Sequence, residues 1–105
     1  MAIQLAYTSK HGVVASKAVH HIVKMDYDHL NTTCTCQIHI YQTADDKTNG
    51  NAPLETMEFS FTPSVADDGK NFLAQGYIAL KLLSTVKDER SGTDKSINYG
   101  SGKDV

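Results

Sequence analysis

Two cysteines and five histidines are the side chains in this chain best suited to metal or nucleophilic chemistry. Both cysteines sit in one short stretch, Asn31 to Thr43, which reads N-T-T-C-T-C-Q-I-H-I-Y-Q-T. Cys34 and Cys36 are spaced C-x-C, and His39 follows three residues later. Thiolates and imidazole nitrogens are the usual zinc ligands, and a structural zinc site normally needs four of them. If the stretch is a strand, Cys34 and Cys36 share one face with Ile38 and Ile40. His39 then falls on the other face with Thr33, Thr35, Gln37 and Tyr41, so it cannot join the cysteines. The spacing is also tighter than the usual zinc knuckle, and a reduced cysteine packs as a small hydrophobe. A Cys34–Cys36 disulfide would have to bridge about 6.5–7 Å along one strand, at the limit of its reach. The residues point to a strand with a core stripe, and no metal or other cofactor is expected.

The histidines give no better constellation. His20 and His21 are adjacent and diverge in a strand, while His11 and His29 fall in links between elements. They read as scattered surface and rim residues, or as part of a pH-sensitive interface. No H-E-x-x-H, G-x-S-x-G or G-x-x-x-x-G-K-[ST] pattern occurs. The acidic residues Asp26, Asp28, Asp45, Asp46, Glu55, Glu58, Asp67 and Asp68 are expected mostly in turns or on exposed strand faces. No nucleophile–base pair is visible, and the chain is expected not to be an enzyme.

The elements that would position these groups follow from patterning. Ile3, Leu5 and Tyr7 alternate with Gln4 and Ala6 as a short first strand. Val19 to Tyr27 predicts a second, with His21, Val23, Met25 and Tyr27 on its core side and His20, Ile22, Lys24 and Asp26 on the other. Asp28-His29-Leu30-Asn31 supplies turn chemistry, so this strand and the cysteine stretch form a hairpin. Ala44 to Pro53 is a polar loop with Asn49-Gly50 as a turn signal. Met57, Phe59 and Phe61 alternate with Glu58 and Ser60 in a fourth strand, ended by Pro63. Ser64 to Lys70 is another loop. Asn71 stands where a helix cap would, before F-L-A-Q-G-Y-I-A-L-K-L-L-S-T-V. Phe72, Leu73, Gly76, Tyr77, Leu80, Leu83 and Val86 make the apolar face of that helix. Gly76 costs about 1 kcal/mol relative to alanine and lets the helix lie close to a sheet.

The order predicts an α+β fold, an antiparallel sheet of about four strands with one C-terminal helix packed on a face. Residues 1–86 form a single domain. Residues 87–105 are rich in Gly, Ser and charge, and read as an extended tail. Such a tail is ordered only when something holds it. The natural holder is a partner subunit, with Ile97 and Tyr99 as anchors.

Length and charge narrow the function classes. A chain of 105 residues makes one domain with a core of its own. The net charge of −2 with scattered lysines and arginines argues against nucleic acid. The start M-A-I-Q-L-A-Y has no basic segment and no long apolar run, so no secretory signal and no membrane span are expected.

One arrangement has a likeness. Pro53-Leu54 with Phe59, and Ala74-Gln75 with Tyr77, Leu80 and Lys81, follow an extended hairpin bearing V-H-H-I-V-K-M-D and I-H-I-Y-Q-T. From Met1 to about Val86 this resembles small virion-structural proteins of tailed bacteriophages, encoded among the tail and fibre genes. The resemblance implies a non-enzymatic subunit of the tail, baseplate, neck or fibre-attachment region. It would be made in the host cytoplasm and would assemble with other virion proteins or copies of itself. The alternative is a small soluble module that caps or inhibits a host protein. For assembly, the contact face expected is Thr33, Thr35, Gln37, His39 and Tyr41, with Ile97 and Tyr99 from the tail.

Overall fold

Alternating apolar and polar side chains build the two longest strands, and everything else is arranged around them. The computed structural model describes residues 2–8, 12, 14–50, 52–63, 72–83, 85–88, 92 and 94–105. The elements are β1 (Ile3–Gln4), β2 (Tyr7–Thr8), β3 (Val14–Ala15), β4 (Val19–Asp28), β5 (Thr33–Tyr41), α1 (Ala44–Thr48), β6 (Glu55–Phe61), α2 (Phe72–Leu82), β7 (Thr85–Asp88), β8 (Asp94–Ser96), a 3₁₀ turn (Tyr99–Ser101) and β9 (Lys103–Asp104). Seven strands form one sheet in the order β8-β7-β6-β5-β4-β1-β9, and β2 pairs with β3 beside it. Every pairing is antiparallel. The fold is α+β, an antiparallel sheet with one long helix on its inner face. Its strand count exceeds the expected four because β7, β8 and β9 are too short to show an alternation, while the expected first strand divides into β1 in this sheet and β2 in the ribbon.

The β4–β5 hairpin turns as the Asp-Asn chemistry predicts. Asp28 Oδ1 accepts hydrogen bonds from the backbone N–H groups of Leu30 (3.0 Å) and Asn31 (3.3 Å). The Asn31 amide donates to Asp28 Oδ2 at 2.7 Å and holds the Asp28 carboxyl below its usual range. Thr32 takes the left-handed conformation there, with φ 50°. The loop expected after β5 contains the short helix α1 and then turns at Gly50, where φ is 73°.

The expected facing of β4 is corrected by a bulge. Val19 to Ile22 pair with Tyr41 to Ile38, but Lys24 then pairs with Gln37, leaving Val23 as an extra residue. An extra residue reverses which side chains reach a face. His20 and Ile22 therefore point into the core before the bulge, and Met25 and Tyr27 after it. His21 is half-buried and Val23 is exposed.

α2 lies on the inner face through Gly76, Tyr77 and Leu80. A Cβ at Gly76 would sit 3.1 Å from Met25 Cε and 3.3 Å from Ile22 Cδ1, so the glycine sets the close approach of helix to β4. The helix stops at Leu82, earlier than the apolar spacing suggests. Val86 belongs to β7, in keeping with the β-branched pair Thr85-Val86. Leu73, placed on the apolar face by spacing, is 40% exposed. The expected cap at Asn71 and the loop 64–70 lie outside the described residues.

The C-terminal residues are not an extended tail. β7 pairs with β6, β8 with β7, and β9 with β1 at the opposite edge of the sheet. Laid flat, seven strands would put their outer edges about 29 Å apart. The path from Ser96 to Lys103 spans at most about 25 Å even fully extended, and its 3₁₀ turn shortens it. The sheet must curl, and residues 97–102 form a strap across its open side. Lys81 on α2 meets Asp104 on β9 at 2.6 Å, tying the strap's far end to the helix.

Gly102 ends the strap where β1 comes close. A Cβ there would lie well inside van der Waals distance of Ile3 Cγ2, and Ile3 is 1% exposed with no room to retreat. Gly102→Ala should destabilise the fold by about 1–3 kcal/mol, read as a lower midpoint in thermal unfolding. An unchanged midpoint would mean that β1 and the strap are not locked together.

Candidate functional site

β5 is the middle strand of the sheet and separates two environments. Cys34, Cys36, Ile38 and Ile40 are fully buried on its inner face, while Thr33, Thr35, Gln37, His39 and Tyr41 are half-buried on its outer face. Both faces are as the alternation predicts. His39 points away from the cysteines, and among the described residues no group of three or more His, Cys, Asp or Glu could hold a metal ion. Burial, with Cys34 alongside, pushes the Cys36 thiol up to about 12, so it stays protonated at neutral pH.

The outer face is ordered in rows that run across the strands. One row is His21, His39 and Thr56. The next is Lys24, Gln37, Glu58, Lys87 and Asp94. A third is Asp26, Thr35 and Ser60, in which Thr35 Oγ1 and Ser60 Oγ are 3.1 Å apart and share a hydrogen bond. In the middle row Glu58 stands beside Lys87 and Lys87 beside Asp94, on strands about 4.8 Å apart, while Lys24, next to Gln37, is 3.5 Å from Asp26 on its own strand. His39 Nδ1 and the Tyr41 hydroxyl are 3.4 Å apart, with ring centroids separated by 6.2 Å. α2, the β2–β3 ribbon and the strap all pack on the inner face, leaving Thr35, Gln37 and their neighbours uncovered by any described element.

The other two expected contact residues are elsewhere. Ile97 is 7% exposed and Tyr99 is 0% exposed, both inside the chain's own core. Their apolar surface is already covered, so the expectation that a partner anchors them is corrected. They are anchors of the strap.

Sequence reasoning missed a polar cluster under that strap. His20 is fully buried. Its Nε2 lies 3.0 Å from the Leu5 carbonyl oxygen, which only accepts, so Nε2 carries the proton. Nδ1 then accepts from the Tyr99 hydroxyl at 2.8 Å. Tyr7 and Tyr99 each set their rings edge-on to the imidazole. The Tyr7 hydroxyl in turn donates to Glu55 Oε2, another buried group. Burial raises the Tyr7 and Tyr99 hydroxyls above their ordinary range, and Glu55 adds to the effect on Tyr7. Nothing in V-H-H marks the first histidine as the inner one, because the bulge that decides it lies two residues further on. His11 lies outside the described residues, and His29 is exposed in the hairpin turn.

A groove of about 390 Å³ runs between β6, β7 and the end of α2, lined by Glu58, Phe59, Leu83, Val86, Lys87 and Asp94 among others. Among the described residues, no helix is long and apolar enough to cross a membrane. No family model, curated protein or solved structure matches the chain.

Proposed function

We propose that this chain is a non-enzymatic structural subunit of a tailed-phage virion, which docks on neighbouring virion proteins through the outer face of its sheet. The observation that carries the docking face is the array of Thr35, Gln37, His39 and Tyr41, uncovered by any described element and flanked by the opposite-charge neighbours Lys24–Asp26 and Glu58–Lys87–Asp94. Short hydroxyl and amide side chains with a tyrosine give hydrogen bonding and contact area at low entropic cost. Charges already balanced by their neighbours keep the face soluble while free and lower the penalty of covering it. The virion setting rests on the likeness of Pro53-Leu54, Phe59 and Ala74-Gln75 with Tyr77, Leu80 and Lys81 to phage tail and fibre-associated proteins.

Sedimentation with candidate virion partners tests the reading. The wild-type chain is expected to enter a particle or partner complex. Thr35→Arg and Gln37→Arg place bulk on a half-exposed face, so each should fold normally yet bind about tenfold more weakly or worse. A wild-type chain that joins no particle and no partner complex would sink the proposal. Recovery of a single host protein from lysate would move the function to host binding.

A further inference from the structure

β4 has one edge that its own sheet does not use. Its N-terminal end is paired on both sides, with β5 throughout and with β1 at Val19 and His20. The Ile22 N–H, next along that side, is taken by the Tyr77 hydroxyl at 2.9 Å. From Val23 to Asp28 the strand pairs with β5 alone, and the side facing away from β5 meets no strand among the described residues. An open edge is a template for another strand.

The side chains along this edge select what the strand can be. Lys24 and Asp26 stand on the outer face on either side of Met25, 3.5 Å apart and well exposed. Lys24 and the bulge at Val23 discourage indiscriminate pairing. A strand that offers an acid opposite Lys24 and a base opposite Asp26 pairs both of the edge's charges. The chain's own β4, run antiparallel, is such a strand. Opposed residues must share a face, so a self-pairing register in this region centres on Lys24, Met25, Asp26 or Tyr27, and centring on Tyr27 sets Asp26 against Asp28. Centring on Lys24 sets lysine against lysine, and centring on Asp26 sets aspartate against aspartate. Centring on Met25 gives two opposite-charge pairs and no like-charge pair.

We propose that two copies of this chain join edge to edge through β4, antiparallel about Met25, with Lys24 of each copy opposite the partner's Asp26. The two sheets then become one continuous sheet about a two-fold axis. This inference deepens the assembly reading by naming a second copy as one partner, and it rests on that reading while using a different surface from the outer face.

Sedimentation velocity over a concentration series, on wild type, Lys24→Asp, Asp26→Lys and an equimolar mixture of the two variants, decides it. Wild type should shift from monomer to dimer as concentration rises. Each variant sets like charges opposite one another twice, and its dimer should weaken by about tenfold or more. In the mixture every cross-copy pair is again opposite in sign, so dimer should return. The Lys24–Asp26 pair within one strand is lost in both variants and mixing cannot restore it, so recovery reports pairing between copies. Both positions are exposed, and circular dichroism should show an unchanged fold. A mixture that associates no better than either variant overturns the proposal, as does wild type that stays monomeric at its highest soluble concentration. Neither outcome touches co-sedimentation with virion partners, which judges the outer-face reading by itself.

Discussion

Lowering the pH from neutral to 4 should cost the fold about 3 kcal/mol through His20 alone. Burial lowers the His20 imidazole from 6.5 to about 4, against a smaller opposing effect of the Leu5 carbonyl. The folded group therefore binds a proton less readily than the unfolded one. Stability is fully present above pH 6.5, falls as pH drops below it, and this share is spent near pH 4. The hydrogen bonds explain why no easy accommodation exists. Once Nδ1 is protonated it must donate, and the Tyr99 hydroxyl that donated to it must turn its own proton elsewhere inside a fully buried site. The neighbours facing the ring are Tyr7 from β2 and Tyr99 from the strap, both neutral, with the Glu55 carboxylate beyond Tyr7 on β6. Denaturant unfolding at intervals between pH 7 and 4 measures the slope. His20→Gln should flatten it relative to wild type, since the remaining carboxylates titrate in both proteins. Equal slopes would show that His20 does not stay neutral in the fold.

What was legible in the sequence divides along a physical line. β5 announces itself because both of its neighbours are long and its alternation is unbroken, so Cys34 to Ile40 could be assigned to the core and His39 away from it. β4 carries equally strong strand residues, yet plain alternation gives the wrong facing for its first half, because a single extra residue at Val23 inverts the assignment there. Propensity and periodicity hold no mark of a bulge, whose cause is tertiary. The C-terminal segment misled for a different reason. Its composition is that of a solvated linker, and two apolar residues, Ile97 and Tyr99, are too few for a periodic signal. They stand out as anchors, but only topology shows that they close the chain's own sheet. The outer face was legible as a face, and its charge rows were not, since they join residues from five strands.

Tyr99→Ala should destabilise the protein by about 4 kcal/mol, and Tyr99→Phe by about 1–3 kcal/mol. The alanine change removes a fully buried ring from beneath the strap. It leaves a cavity between His20, Tyr7 and the helix, and it also removes the hydroxyl that donates to His20 Nδ1. The phenylalanine change keeps the ring packed edge-on to the imidazole, with centroids near their present 4.9 Å, and removes only the donated proton. The gap between the two variants separates packing from hydrogen bonding at one position. The consequences reach further than the site because the strap is the link between opposite edges of the sheet. Without its anchor, β9 loses the tether that holds it on β1, and the bonds between Ala2 and Val105 (3.0 Å in each direction) should open. Hydrogen exchange should therefore accelerate first at the amides of Ala2 and Val105 in Tyr99→Ala, while the β4–β5 and β5–β6 ladders keep their protection. The same experiment separates the two roles that this residue could have. An anchor for a partner subunit would leave the stability of the isolated chain unchanged when truncated. An anchor for the chain's own strap must weaken the isolated chain, and an alanine variant as stable as wild type would refute the strap.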